Sequence, residues 1–277
     1  MSGSVVQARP TRLRLAMPRV RNLPGWLRRA ISPIVLILLW ELLSRAGVIS
    51  ARSIAAPSAV LTSAWALTWS GALPVDLLVS AARVAAGFAI GTLAGTVLAS
   101  LAGLSRLGEE VIDAPMQMLR TLPFLALVPL FILWFGIGEG PKVALVTLGS
   151  MFPVYLNLFA GIRAVDPKLM EAGRVFGLTR WGLVRRVVLP GALPALLTGV
   201  RYGMGVAWLS LVVAEQINAT SGIGHMINDA RDFMQTDVIV VGLLVYALLG
   251  LIADGGVRAL ERRSLRWRST LVRGAQS

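Results

Sequence analysis

One polar, Arg-studded island stands between the long apolar runs of this sequence. Between Arg163 and Pro190 lie Lys168, Glu171, Arg174, Arg180, Arg185 and Arg186, with long apolar runs on either side. Three further polar residues, Asn157, Arg201 and Glu215, fall inside such runs or at their ends. The chemistry open to this inventory is narrow. No Cys is present, so neither a disulfide nor a thiolate metal site can form. His225 is the single His, and a zinc site of the HExxH type needs two imidazoles. An intramembrane hydrolase lacks both its metal ligands and a Ser/His pair at helical spacing. Lys142 and Lys168, the two lysines, each follow a proline, so no Gly-x4-Gly-Lys-Ser/Thr loop exists to cradle phosphates. Any ATP that drives this protein must be held elsewhere.

A cation inside an apolar run is expensive in lipid and turns inward or toward a partner. Arg201 could meet an anionic ligand, pair with Glu215 or snorkel. Asn157 and Glu215 are expected to satisfy backbone or interhelical hydrogen bonds, and all three are candidates for a translocation path. His225, with Gly222 and Gly224, lies in a polar stretch, 216–236, expected to face outward and to meet a partner there.

The elements that position these residues are membrane helices. Hydrophobic residues make up 56% of the chain and mean hydropathy is +0.72, against roughly 45–50% apolar in soluble domains. The fold class is an all-α polytopic membrane protein. Residues 1–30 form a basic arm, and 31–49 a first transmembrane helix, although a signal peptide competes for that stretch. Residues 50–83, with Pro57, Pro74, Trp65 and Trp69, read as interfacial turns with the tryptophans at headgroup depth. Five further spans follow in the core 84–257, at about 84–105, 121–138, 143–162, 192–214 and 238–256, and a basic tail covers 258–277. In the first of these, Gly87, Gly91, Gly95, Ala99 and Gly103 recur every fourth position, which lines one helix face for close approach. Pro123 and Pro129 should kink the 121–138 span.

Charge sets the orientation. Net charge is +13, and 21 of the 27 Lys and Arg fall in 1–30, 106–120, 163–190 and 258–277. The positive-inside rule then places both termini and the 163–190 segment in the cytoplasm. Basic residues beside apolar runs are a topology signal, so no nucleic-acid partner is expected.

Within the island, Asp166-Pro167 is a helix start, with an N-cap followed by proline in the first turn. Leu169, Ala172 and Phe176 recur at helical spacing, and Gly177 stands where a left-handed residue would end a helix of about ten residues. Thr179 can cap a second short helix, with Trp181, Val184 and Val188 on one face, that Pro190 should stop. Physical reasoning leaves two readings open: a handle for a partner, or an amphipathic loop resting on lipid.

Glu171-Ala172, Gly177, and Leu189-Pro190 at their spacing resemble the loop motif of permease subunits of ATP-binding-cassette importers. Gly173 stands where Ala is usual and Val187 where Ile is usual. Leu39-Trp40-Glu41-Leu42, Arg83-Val84-Ala85-Ala86-Gly87-Phe88, Leu133-Trp134-Phe135-Gly136-Ile137-Gly138, Phe152-Pro153-Val154-Tyr155-Leu156-Asn157, Ala207-Trp208, Val213-Ala214-Glu215 and Glu261-Arg262-Arg263 resemble the nitrate/sulfonate/taurine branch, aliphatic-sulfonate permeases most of all. The resemblance implies a type I importer permease with six transmembrane helices, multi-pass in the bacterial inner membrane and working as a homodimer. It implies ATPase subunits, with ATP-Mg bound on them and no cofactor in this chain. It further implies a periplasmic or lipid-anchored substrate-binding protein, and alternating access as the mechanism. Glu171, Ala172, Gly173, Gly177, Leu189 and Pro190 would couple to the ATPase. The alternative, an ion-coupled secondary transporter, would need acids near mid-membrane and internal repeats; Glu41, Glu215 and Asp254 instead sit near span ends.

Overall fold

A computed structural model describes residues 25–265, and every regular element among them is helical. Most of the basic arm and the end of the tail lie outside the described residues. The chain divides after Ile49 into two compact units. The first contributes α1 (Gly25–Arg45), whose 21 residues are about 31 Å long. Ile34, Leu36, Leu38 and Leu42 are exposed along it, and Glu41 pairs with Arg45 at 2.7 Å.

In the second unit, α2 (Pro57–Trp69) starts on a proline and is a regular helix where interfacial turns are expected. Trp65 and Trp69 stack at 5.9 Å on its exposed side. The next helix, α3 (Ala72–Leu104), is 33 residues or about 50 Å long and begins twelve positions before the expected span. Asp76 and Arg83 argue against helix burial in the sequence, yet both find partners from far along the chain. Asp76 accepts from the Gly222 N–H at 2.8 Å, and Arg83 is buried in an ion-pair cluster described below.

After α4 (Arg106–Gly108) a π-helical turn, Glu109–Asp113, leads into α5 (Ala114–Arg120). The expected kinked span at 121–138 is not one helix. It is a turn, a 3-10 segment (Phe124–Leu127) and the eight-residue α6 (Val128–Phe135), which ends at Gly136 with φ +74°. At 1.5 Å per residue α6 covers about 12 Å, well short of a ~30 Å hydrocarbon core. Pro123 and Pro129 remove two backbone donors within seven residues, which breaks the ladder rather than bending it.

α7 (Glu139–Arg163) is the central helix, flanked by α3 and α10 (Leu189–Asn218). The glycine ridge of α3 faces it. A methyl group on Gly87 would stand 2.7 Å from Val146, one on Gly95 2.6 Å from the Met151 carbonyl, and one on Gly91 would overlap Ser150. On the other side, a methyl on Gly199 or Gly203 would meet α7 carbonyls at 2.9 and 3.0 Å. Small residues on both neighbours therefore let three backbones pack at close range, the arrangement membrane helices rely on. Two short helices, α8 (Pro167–Val175) and α9 (Arg180–Leu183), connect α7 to α10.

Pro190 does not stop the second of them. A π-turn, Val184–Val188, joins α9 to α10, so that Arg180–Ile217 runs as 38 continuous helical residues. Proline lacks the N–H for the i−4 carbonyl and clashes with it; a widened turn just before it relieves both problems. The same device precedes Pro115 in α5. The stretch expected to be a polar loop is mostly helical. α10 extends to Asn218, and α11 (Ile223–Asp232) buries Ile223, Met226, Ile227 and Ala230 against neighbours that include α12 (Thr236–Ser264). Four helical stretches among the described residues, 72–104, 139–163, 180–217 and 236–264, are long and apolar enough to cross a membrane.

Candidate functional site

The polar island folds into an elbow held by local caps. Asp166 accepts from the Lys168 N–H at 2.8 Å with Pro167 in the first turn, as its sequence position demands. Gly177 has φ +79°, a left-handed conformation open to glycine at little cost, and ends α8 with Leu178 N–H donating to the Gly173 carbonyl at 3.0 Å. Thr179 accepts from the Gly182 N–H at 3.1 Å and starts α9. Gly173, the departure from the resembled motif, is buried where α8 meets α9. A methyl there would stand 2.5 Å from the end of the Leu183 side chain and 3.3 Å from Leu178. Helix α8 thus lies closer to its neighbour than Ala would allow without a Leu183 rotamer change.

The apolar residues spaced along α8 stay open among the described residues. Leu169, Ala172, Val175 and Phe176 are exposed, Phe176 at 84%, and Trp181 on α9 is 69% exposed. Glu171 is also exposed and has no hydrogen-bond or ion-pair partner among the described residues. A carboxylate on an open, apolar, N-capped helix is a surface suited to a partner. Leu189 and Pro190 are exposed where the elbow becomes α10. At the foot of the elbow, Arg163 pairs with Glu109 at 2.8 Å.

Asn157, Arg201 and Glu215 are held by different partners. Asn157 donates from Nδ2 to the Pro153 carbonyl at 2.8 Å, within its own helix. Arg201 pairs through Nε with Asp254 on α12 at 3.1 Å rather than with Glu215, and Arg258 holds the other Asp254 oxygen at 3.1 Å. Arg201 opens onto a cavity of about 350 Å³ beside Thr198, Tyr202 and Glu261.

Glu215 belongs to a buried clamp that sequence reading missed. Its carboxylate, 0% exposed, accepts from Ser80 Oγ at 2.8 Å, Arg83 Nη1 at 2.5 Å, the Gly224 N–H at 3.0 Å and Tyr246 OH at 2.7 Å. Arg83, 3% exposed, also donates to both oxygens of Glu139 at 2.5 and 2.6 Å and to the Ser221 carbonyl at 2.7 Å. Lys142 joins Glu139 at 3.1 Å. One guanidinium and two carboxylates therefore tie α3, α7, α10, α11 and α12 together. The available signal was a charge pattern, Arg83 and Glu215 each at the end of an apolar run, but nothing local pairs residues 132 positions apart.

His225 contacts Asp229 at 3.3 Å within α11, and no cluster of three or more candidate metal ligands occurs among the described residues.

Helices long and apolar enough to cross a membrane, two of them joined by a capped polar elbow, are the build of a multi-pass membrane protein. Residues 87–266 match the family described as binding-protein-dependent transport system inner membrane component, and the chain belongs to that family. It is similar to two proteins described as SsuC, aliphatic sulfonates transport permeases. The Escherichia coli (strain K12) protein is 47% identical over 245 residues, covering 87% of this chain and 93% of that protein. The Bacillus subtilis (strain 168) protein is 44% identical over 246 residues, covering 89% of each. In fold, the chain resembles a crystal structure described as an amino acid ABC transporter with histidines, with TM-score 0.59 and 20% identity over 71% of this chain and 96% of that one. This chain is thus the multi-pass inner-membrane permease of a binding-protein-dependent ABC transporter, whose ATPase activity resides in a separate subunit.

Proposed function

We propose that this permease imports aliphatic sulfonates and is coupled to its ATPase through the 166–190 elbow. Two relatives above 40% identity, both described as permeases for such substrates, support the substrate class. The observation that carries the coupling is the exposed, unpaired Glu171 on an open apolar face. The ATPase docks there, with Glu171 as the charged anchor, Ala172 and the adjoining apolar groups as the contact, Gly177 as the hinge, and Leu189-Pro190 setting the angle into α10. Gly173 lets α8 pack close against α9 across the Gly177 hinge. Six spans, with 31–49 and the interrupted 121–138 stretch (turn, 3-10 segment and α6 together) added to the four long helices, leave both termini and the elbow in the cytoplasm, in keeping with the charge distribution. Two copies form the permease, and substrate handed over by the binding protein passes by alternating access. Of the three path candidates, Arg201 alone is half-exposed beside a cavity, and it serves as the anion contact; Asn157 and Glu215 serve structure.

The test is reconstituted uptake. Proteoliposomes holding permease and ATPase, supplied with the partner binding protein and ATP, should accumulate a labelled alkanesulfonate. Accumulation of nitrate in preference to sulfonates, with the sulfonate excluded, would overturn the substrate reading.

A further inference from the structure

A second cavity, about 650 Å³, lies between the elbow and the ends of α3 and α7, and Glu171 is not among its lining residues. Its floor is apolar, made by Leu104 at the end of α3, Ile162 at the end of α7, and Met170 and Leu183 from the elbow. Its two charged lining residues are Arg174 and Arg180, both exposed, neither with a hydrogen-bond or ion-pair partner among the described residues. No acidic residue lines it. Met170 and Arg174 stand one helical turn apart and both line the cavity, whereas Glu171 and Val175, about 100° further round α8, do not. Two unpaired guanidiniums above an apolar floor, at the ends of two membrane helices, match an amphiphile with an anionic head. The guanidinium geometry suits phosphate oxygens, and basic pockets between helices at the cytoplasmic surface take anionic lipid headgroups.

We propose that this cavity is a binding site for an anionic phospholipid of the inner leaflet. The phosphate sits between Arg174 and Arg180, and an acyl chain runs along Leu104 and Ile162 toward the hydrocarbon core. The lipid wedges between the elbow and the ends of α3 and α7, so the mobility of the coupling segment depends on headgroup charge. The proposal rests on the cytoplasmic placement of residues 163–190 given above.

Native mass spectrometry of the assembled permease–ATPase complex tests it, with cardiolipin, phosphatidylglycerol and phosphatidylcholine titrated in turn. The double substitution Arg174→Gln/Arg180→Gln should weaken retention of both anionic lipids on the order of thirtyfold. Arg185→Gln/Arg186→Gln, which removes equal charge outside the cavity, should bind them as the unmodified protein does. Equal loss in both variants, equal retention of phosphatidylcholine, or displacement of lipid by inorganic phosphate would overturn the proposal. Because the chain lacks Cys, Arg185→Cys can be labelled with an impermeant maleimide in sealed vesicles of known orientation. Labelling from the outer side would overturn the topology and the lipid site together; labelling from the inner side with no lipid effect overturns the lipid site alone.

Discussion

Replacing Arg83 by Met removes the cation of the buried clamp while retaining much of its length and volume. Glu215 would be left fully buried with Ser80, Gly224 and Tyr246 as donors but no counter-charge. Breaking a buried ion pair by removing one partner costs about 3–5 kcal/mol, chiefly the stranded charge. Glu139 softens the loss little, since its side chain is 58% exposed and keeps Lys142 at 3.1 Å. Glu215→Leu strands Arg83 less severely, because both Glu139 oxygens remain on its guanidinium; a cost of roughly 2–3 kcal/mol is expected. The double variant exchanges a buried pair for apolar groups and should cost at least about 1.5 kcal/mol less than the sum of the singles. The assay is SDS-titrated unfolding in mixed micelles, followed by tryptophan fluorescence. An Arg83→Met cost under about 1 kcal/mol, or simple additivity, would refute a clamp held by charge.

Gly91→Leu should abolish close packing of α3 on α7, since its first side-chain atom already overlaps Ser150 and crowds the Thr147 carbonyl. A loss of more than about 3 kcal/mol, seen as aggregated rather than monodisperse protein on size exclusion, is the expected outcome. Thr179→Ala should cost about 1 kcal/mol through loss of the Gly182 N–H acceptor, and hydrogen exchange should rise in residues 180–183 while α7 stays protected. Gly177→Val places a β-branched residue at φ +79° and should cost at least about 1–2 kcal/mol locally, lowering ATP-driven uptake with normal membrane insertion.

How much of this architecture was legible follows the range of each interaction. Asp166, Gly177 and Thr179 act on residues within three or four positions, and their sequence pattern foretells the elbow as it is found. The Gly87–Gly103 ridge was legible because its period matches the helix. Pro190 misled, because a π-turn can absorb a proline and no local residue type announces it. The early start of α3 was hidden because the charges of Asp76 and Arg83 are neutralised or bonded by residues 139–222, far along the chain. Arg201 shows the same limit: the acid of suitable polarity nearest in sequence was Glu215, while the one in space is Asp254. At the candidate site, the local geometry could be read from sequence, whereas exposure of its apolar face needed the folded chain.

Coupling to the ATPase turns most directly on Glu171. Glu171→Ala removes one exposed carboxylate with no partner among the described residues, so folding, insertion and the clamp should be untouched. A hydrogen bond to a charged group contributes about 1.5–3 kcal/mol, which corresponds to ATPase binding weakened roughly 10- to 150-fold. Titration of the ATPase subunit against the purified variant, paired with ATP-dependent uptake in proteoliposomes, measures this. The account predicts weaker association and lost uptake in a normally folded permease; unchanged affinity with full uptake would contradict it.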